Sequence, residues 1–143
     1  MDLKLGKSIN EMKIGDNIVM DFLVEDKHIK QFAEATGDFN PVHVNDDYAS
    51  STIFKKRIVH GVLLSGIVSG MLGMNLPGLG TIAREMYSKF LKPVYIGDKL
   101  TVTSTVTELK EKLNLCKIEF VVKNQDSLVV GKGYAVVIPP IKN

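Results

Sequence analysis

The run IVHGVLLSGIVSGMLGM at 58–74 constrains the fold more than any other part of the sequence. As a helix its 17 residues would rise only about 25 Å, and a membrane span needs about 20 apolar residues to cross a core of about 30 Å. His60 lies inside the run, and Gly61, Gly66, Gly70 and Gly73 dilute it. A helix that is apolar on all sides also suits the buried centre of a globular fold. The run is read here as such a central helix, terminated by Pro77 and Gly78, and not as a membrane span. Gly61, Ser65 and Ser69 recur at every fourth position, so one narrow stripe of it is small and partly polar. A stripe of that kind admits a close neighbour, either a packed strand or a ligand.

The flanking segments supply what such a helix needs around it. Residues 14–25 alternate apolar and polar around Ile18, Met20, Phe22 and Val24, which predicts a strand. Asp26 is the expected N-cap of a helix through Ala35, with Ile29, Phe32 and Ala33 on its apolar side and Gly37 as its stop. TGDFNP at 36–41 reads as turn chemistry, and a short helix is expected from Asp46 or Asp47 to about Ser51. Beyond the long helix, residues 81–92, 98–110, 115–123 and 128–138 are rich in Val, Ile, Thr, Tyr and Phe and are separated by turn signals. Their spacing predicts an antiparallel meander rather than alternating βαβ units. The fold class is therefore α+β, an antiparallel sheet wrapped around one long apolar helix. A length of 143 residues suits a single domain over 1–143.

Composition excludes several functions. The chain is 45% hydrophobic and 24% charged, too apolar for a disordered chain. A net charge of +2 is too balanced for wholesale nucleic-acid binding. The single cysteine, Cys116, excludes an internal disulfide and a cysteine-based metal centre. The N-terminal residues MDLKLGKSINEMKIGD contain no apolar core of a signal peptide, so a cytoplasmic location is expected.

Three histidines are available for chemistry. His28 stands among Glu25, Asp26, Lys27 and Lys30 and is expected on the surface. His60 opens the long helix, where a structural bond to a nearby loop or terminus is expected. His43 follows Asp38 by five residues across a loop stiffened by Pro41. Such a loop can aim a carboxylate and an imidazole at one water, an acid–base device suited to neutral pH. The same spacing also fits a plain turn closed by Asp38 and Asn40. No metal is expected, because there is no His-x-x-x-His, no second histidine nearby and no cysteine ligand. No G-x-S-x-G elbow supports a serine nucleophile, and LPGLG at 76–80 has neither a preceding strand nor a Walker lysine. At His60-Gly61-Val62 the first amides of the helix have no intrahelical partner, and no Cβ at Gly61 blocks a ligand oxygen.

Ala35-Thr36-Gly37-Asp38-Phe39-Asn40-Pro41-Val42-His43, followed by Ala49, resembles the hydratase motif of the MaoC-like (R)-specific enoyl-CoA hydratases. The resemblance continues through Ile58-Val59-His60-Gly61, Leu76-Pro77-Gly78 and Pro93-Val94-Tyr95-Ile96-Gly97-Asp98. It implies a single hot-dog fold, in which an antiparallel sheet wraps a long helix, and a homodimer. It implies that Asp38 and His43 activate a water that adds across the C2–C3 double bond of a trans-2-enoyl-CoA, giving the (R)-3-hydroxyacyl-CoA. It further implies that the Gly61 amide polarises the thioester carbonyl, that Asn40 supports the loop, and that Ser69 lies beside Asp38. Leu72 and the 76–80 segment are candidates for bounding the acyl pocket. No cofactor or metal is implied, since the CoA thioester is the substrate. Arg57, Lys56, Arg84, Lys89 and Lys92 are candidates for meeting the CoA phosphates, against the alternative of ordinary surface charges. Three further readings stand beside this one. They are a 3-hydroxyacyl-ACP or -CoA dehydratase of fatty-acid metabolism, a non-catalytic acyl-CoA-binding domain, and a thioesterase.

Overall fold

The computed structural model describes residues 3–143. In chain order the elements are β1 (Asn17–Leu23), α1 (Asp26–Thr36), α2 (Pro41–Val44), α3 (Asp46–Ser50), α4 (Gly61–Met74), β2 (Ile82–Phe90), β3 (Lys99–Lys110), β4 (Leu115–Lys123) and β5 (Val129–Ile138), with short 3-10 turns at Ile9–Glu11 and Glu111–Leu113. The five strands form one antiparallel sheet in the order β1-β3-β4-β5-β2. This is the α+β arrangement that the sequence pattern predicts, and it agrees with the hot-dog fold that the resemblance implies.

The period-two pattern of β3 shows why the sheet forms where it does. Leu100, Val102, Ser104 and Val106 are buried, and the threonines between them are partly exposed. The inward set joins Ile118, Phe120 and Val122 of β4 and Val130, Ala135 and Val137 of β5 around Leu64, Val68, Met71 and Leu72 of α4. Each Val, Leu, Ile, Phe or Met among them contributes about 1.5–3 kcal/mol when fully buried. Helix α4 is covered on this side only, since Val62 is 61% and Met74 66% exposed. No helix among the described residues is long and apolar enough to cross a membrane.

The expected meander holds for β3, β4 and β5 but not for β2, which pairs with β5 at the far edge of the sheet. The 91–98 segment is spent on other contacts. Val59 N–H donates to the Val94 carbonyl at 2.7 Å, and Ile58 bridges to Tyr95. Pro93 has no amide to offer a hairpin. The chain therefore leaves β2, passes the start of α4 and enters β3 on the opposite side of β5.

Three local readings are also revised. Helix α1 starts at Asp26 itself, with Glu25 as N-cap. His28 is half-buried rather than on the surface: its Nδ1 accepts the Glu25 amide at 3.0 Å, and its ring lies 4.8 Å from that of Phe22. The 36–41 turn leads directly into α2, because Asn40 caps Pro41 at the first helical position, a start signal that outweighs the turn signal.

The small-residue stripe of α4 faces β2. A Cβ on Gly61 would sit 3.0 Å from the Phe90 ring, Ser65 Oγ lies 2.7 Å from Ser88 Oγ, and Ser69 lines one cavity with Met86. Four helical residues rise about 6 Å and two strand residues about 6.8 Å, so positions 61, 65 and 69 meet 90, 88 and 86 in register.

Candidate active site

The loop after α1 is built from its own polar groups. Gly37 adopts φ 79°, a left-handed conformation that ends the helix, and its amide closes on Ala33. The Asp38 amide donates to Thr36 Oγ1 at 3.3 Å. Asn40 N–H donates to Asp38 Oδ1 at 3.2 Å, and Asn40 Oδ1 accepts from Val42 N–H at 3.3 Å. Asn40 thus holds the Asp38 carboxylate and caps the helix that carries His43.

His43 is half-buried, and its Nδ1 lies 2.8 Å from the Ile58 carbonyl oxygen. A carbonyl only accepts, so Nδ1 carries the proton, and in the neutral ring Nε2 holds the lone pair. The His60 ring stacks on that of His43 at a centroid distance of 4.0 Å. His60 is 2% exposed, and its Nε2 lies 3.1 Å from the Asp38 carbonyl oxygen. By the same reasoning Nε2 carries the proton there, and Nδ1 is a buried lone pair without a partner. Burial holds the His60 imidazole below its ordinary pKa, and its hydrogen bond to the Asp38 carbonyl pulls partly the other way.

Asp38, His43 and His60 each bring one donor atom within 4.8 Å of the others. This corrects the expectation that His43 has no second histidine nearby, because sequence spacing did not show that α4 starts against the loop. The grouping has the donor types of a cation site, although one nitrogen of each histidine is committed to a carbonyl.

His43 and Gly61 line one cleft of about 320 Å³, together with Phe54, Leu64, Phe90 and Lys92. Gly61 is the first residue of α4, so its amide has no partner within the helix. An imidazole and a free amide lining an apolar cleft, with a carboxylate within 4.8 Å of the imidazole, can deprotonate a water and stabilise an oxyanion together.

Other candidates lie elsewhere. Ser69 and Leu72 line a second cavity of about 120 Å³ with Thr81, Met86, Ala135 and Val137, and Ser69 makes no hydrogen bond to Asp38. Arg57, a candidate for the CoA phosphates, is instead committed to Asp26 at 2.9 Å and Asp46 at 2.8 Å. Lys56 sits 4.5 Å over the Tyr95 ring. Lys92 lines the cleft; Arg84 and Lys89 do not. Two contributors escaped the sequence reading, the Ile58 carbonyl and the Phe90 ring. Backbone acceptors leave no residue-type signature, and Phe90 reaches Gly61 only through sheet topology.

A family described as MaoC like domain matches residues 10–129. An (R)-specific enoyl-CoA hydratase of Rhodospirillum rubrum is 39% identical over 136 residues, covering 92% of this chain and 91% of that protein. One of Aeromonas caviae is 37% identical over 112 residues, covering 78% of this chain and 84% of that protein. Among solved structures, the R-hydratase PhaJ1 of Pseudomonas aeruginosa superposes with a TM-score of 0.90 at 33% identity, covering 96% of this chain and 88% of that one.

Proposed function

The chain belongs to the MaoC-like domain family, and from that premise we propose that it is a hydro-lyase, an (R)-specific trans-2-enoyl-CoA hydratase. The observation that carries the reading is His43, which lines an apolar cleft with Gly61 at the start of α4 and has the Asp38 carboxylate within 4.8 Å. A water held between the Asp38 carboxylate and His43 Nε2 loses a proton to this pair as its oxygen bonds to C3 of the enoyl thioester. The electron pair of the double bond moves to C2 and onto the thioester oxygen, where the Gly61 amide stabilises the enolate. Protonation at C2 completes the (R)-3-hydroxyacyl-CoA, and the same groups run the reverse dehydration. Proton transfer and enolate stabilisation suffice, so no cofactor or metal enters.

Asn40 acts through the loop, keeping Asp38 and His43 in register. Leu72 is the candidate for bounding the acyl pocket and Ser69 for substrate binding beside Asp38, although both line the separate cavity of about 120 Å³. Lys92 is the cleft lysine available to the CoA phosphates. The active unit is a cytoplasmic homodimer with two equivalent sites.

The test is loss of the enoyl thioester absorbance of crotonyl-CoA, coupled to an R- or an S-specific 3-hydroxyacyl-CoA dehydrogenase. Turnover through the R-specific enzyme alone supports the reading. An S product, or no turnover with any enoyl-CoA, overturns it. Activity confined to acyl-carrier-protein thioesters would move the assignment to the corresponding dehydratase.

A further inference from the structure

We infer that His60 is a positioning residue for this reaction, joining the loop of Asp38, the ring of His43 and the helix start at Gly61 into one rigid unit through a neutral, Nε2-protonated imidazole. The inference rests on the roles proposed above for those three residues.

Its position gives the first argument. His60 is the N-cap of α4, a place where Ser, Thr, Asp or Asn would accept a helix amide. Its side chain makes no such bond. The imidazole is turned instead to the Asp38 carbonyl, 22 residues earlier in the chain, at 3.1 Å. The amides of Gly61 and Val62 therefore stay free of a side-chain cap, while the Leu63 amide donates to the His60 carbonyl at 3.1 Å.

The second argument is the stack. The His43 and His60 rings lie 4.0 Å apart at 29° to one another, and Phe32 lies 4.7 Å from His60. His43 is thus fixed at Nδ1 by the Ile58 carbonyl and across its face by His60. A neutral neighbour leaves His43 free to take up the water's proton; a second imidazolium at 4.0 Å would oppose it.

The third argument is what the arrangement leaves unsatisfied. His60 Nδ1 is buried without a partner. A side chain chosen only to fill this space would not bring an orphaned acceptor with it. The donor at Nε2 accounts for an imidazole here.

Two variants separate the bond from the ring. His60→Phe keeps the stack and removes the N–H; His60→Gln places an N–H near Nε2 and removes the ring. With crotonyl-CoA, His60→Phe is expected to lower kcat about 10- to 100-fold. Its KM should stay within about 3-fold, since the damage falls on the transition state. His60→Gln restores the N–H but not the ring, so its kcat should lie between that of His60→Phe and wild type. A His60→Phe enzyme as fast as wild type, or a folded His60→Gln as slow as His60→Phe, overturns the proposal. Should His60→Phe not fold, nitrogen NMR of the wild type decides. An Nε2–H tautomer at neutral pH supports the proposal, and an Nδ1–H tautomer or an imidazolium overturns it. That measurement needs no turnover, so its outcome is separate from failure of the hydratase reading itself.

Discussion

Ile58 grips the short helix of His43 with both of its backbone polar groups: its amide donates to the Val42 carbonyl at 3.2 Å, and its carbonyl accepts from His43 Nδ1 at 2.8 Å. The imidazole is therefore aimed by backbone. In many acid–base pairs a carboxylate holds the far nitrogen of the histidine; here that place is taken by a neutral carbonyl. The Asp38 carboxylate stays exposed, accepting a single amide from Asn40.

Asp38→Ala and His43→Ala should each lower kcat for crotonyl-CoA by about 10²–10⁴, the usual contribution of a positioned acid–base group. Asp38 is exposed, so its variant should melt close to wild type. His43→Ala should melt lower, because it removes the partner of the Ile58 carbonyl and of the His60 ring. Steady-state kinetics beside thermal melts would separate these effects. Wild-type rates in both variants would reduce the loop to a turn.

Arg57→Met should lose stability while leaving KM for the CoA thioester unchanged. The guanidinium is 13% exposed and ties α1 to α3 through Asp26 and Asp46. A hydrogen bond to a charged group contributes about 1.5–3 kcal/mol. Asp26 is 38% and Asp46 83% exposed, so solvent screening reduces the net loss to about 1–2 kcal/mol. Urea unfolding measures it, and a several-fold rise in KM would return Arg57 to the list of phosphate contacts.

Residues 58–74 announced the central helix because an apolar run too short to cross a membrane has little else to build than a buried helix. The alternation of Thr with Val at 101–106 announced β3 for a similar reason: a period of two has one structural meaning. The strand order was not legible, since nothing local to Ile82–Phe90 says that β2 pairs with β5 rather than with β3. The Asp38–His43 pair was legible because six residues hold both groups. A structural bond from His60 to a loop was expected, but not that the loop is that of Asp38, since the bond spans 22 residues and depends on where α4 begins. The Gly61-Ser65-Ser69 stripe was seen, and its partner, the 90-88-86 face of β2, was not.

Stability should fall as the solution is acidified, in two stages. Burial sets the His60 pKa below the 6.5 of the unfolded chain. As pH drops through that value the unfolded state takes up a proton that the folded state refuses, and stability is lost until the folded group titrates. The second stage belongs to carboxylates whose folded pKa is depressed. Asp26 is held below 3.8 by Lys30 and Arg57, and Glu11 is lowered from 4.5 to about 2 by Lys142 and Ser8. Their contribution is full above their unfolded values and is lost as pH falls through the folded ones. Melting temperatures from pH 8 to pH 3 test this. A His60→Gln variant that lacks the stage near pH 6 but keeps the acid one would assign the first stage. Unchanged loss near pH 6 in that variant would remove His60 as its cause.

Homodimer formation should use β2 and the uncovered side of α4. Strand β2 ends the sheet, so one row of its backbone amides and carbonyls has no partner strand. Ile82 is 60%, Tyr87 51% and Phe90 48% exposed, beside Val62 at 61% on α4. Apolar side chains along an open edge favour pairing with a second copy by a two-fold axis, which would satisfy both edges at once. Light scattering should give twice the 15.8 kDa of the chain. Ile82→Lys combined with Val62→Glu places charge on both elements without touching the core and should shift the mass toward one chain. Phe90 covers Gly61 and lines the cleft of His43, so loss of the dimer should also lower activity. A monomeric wild type with full activity would refute the prediction.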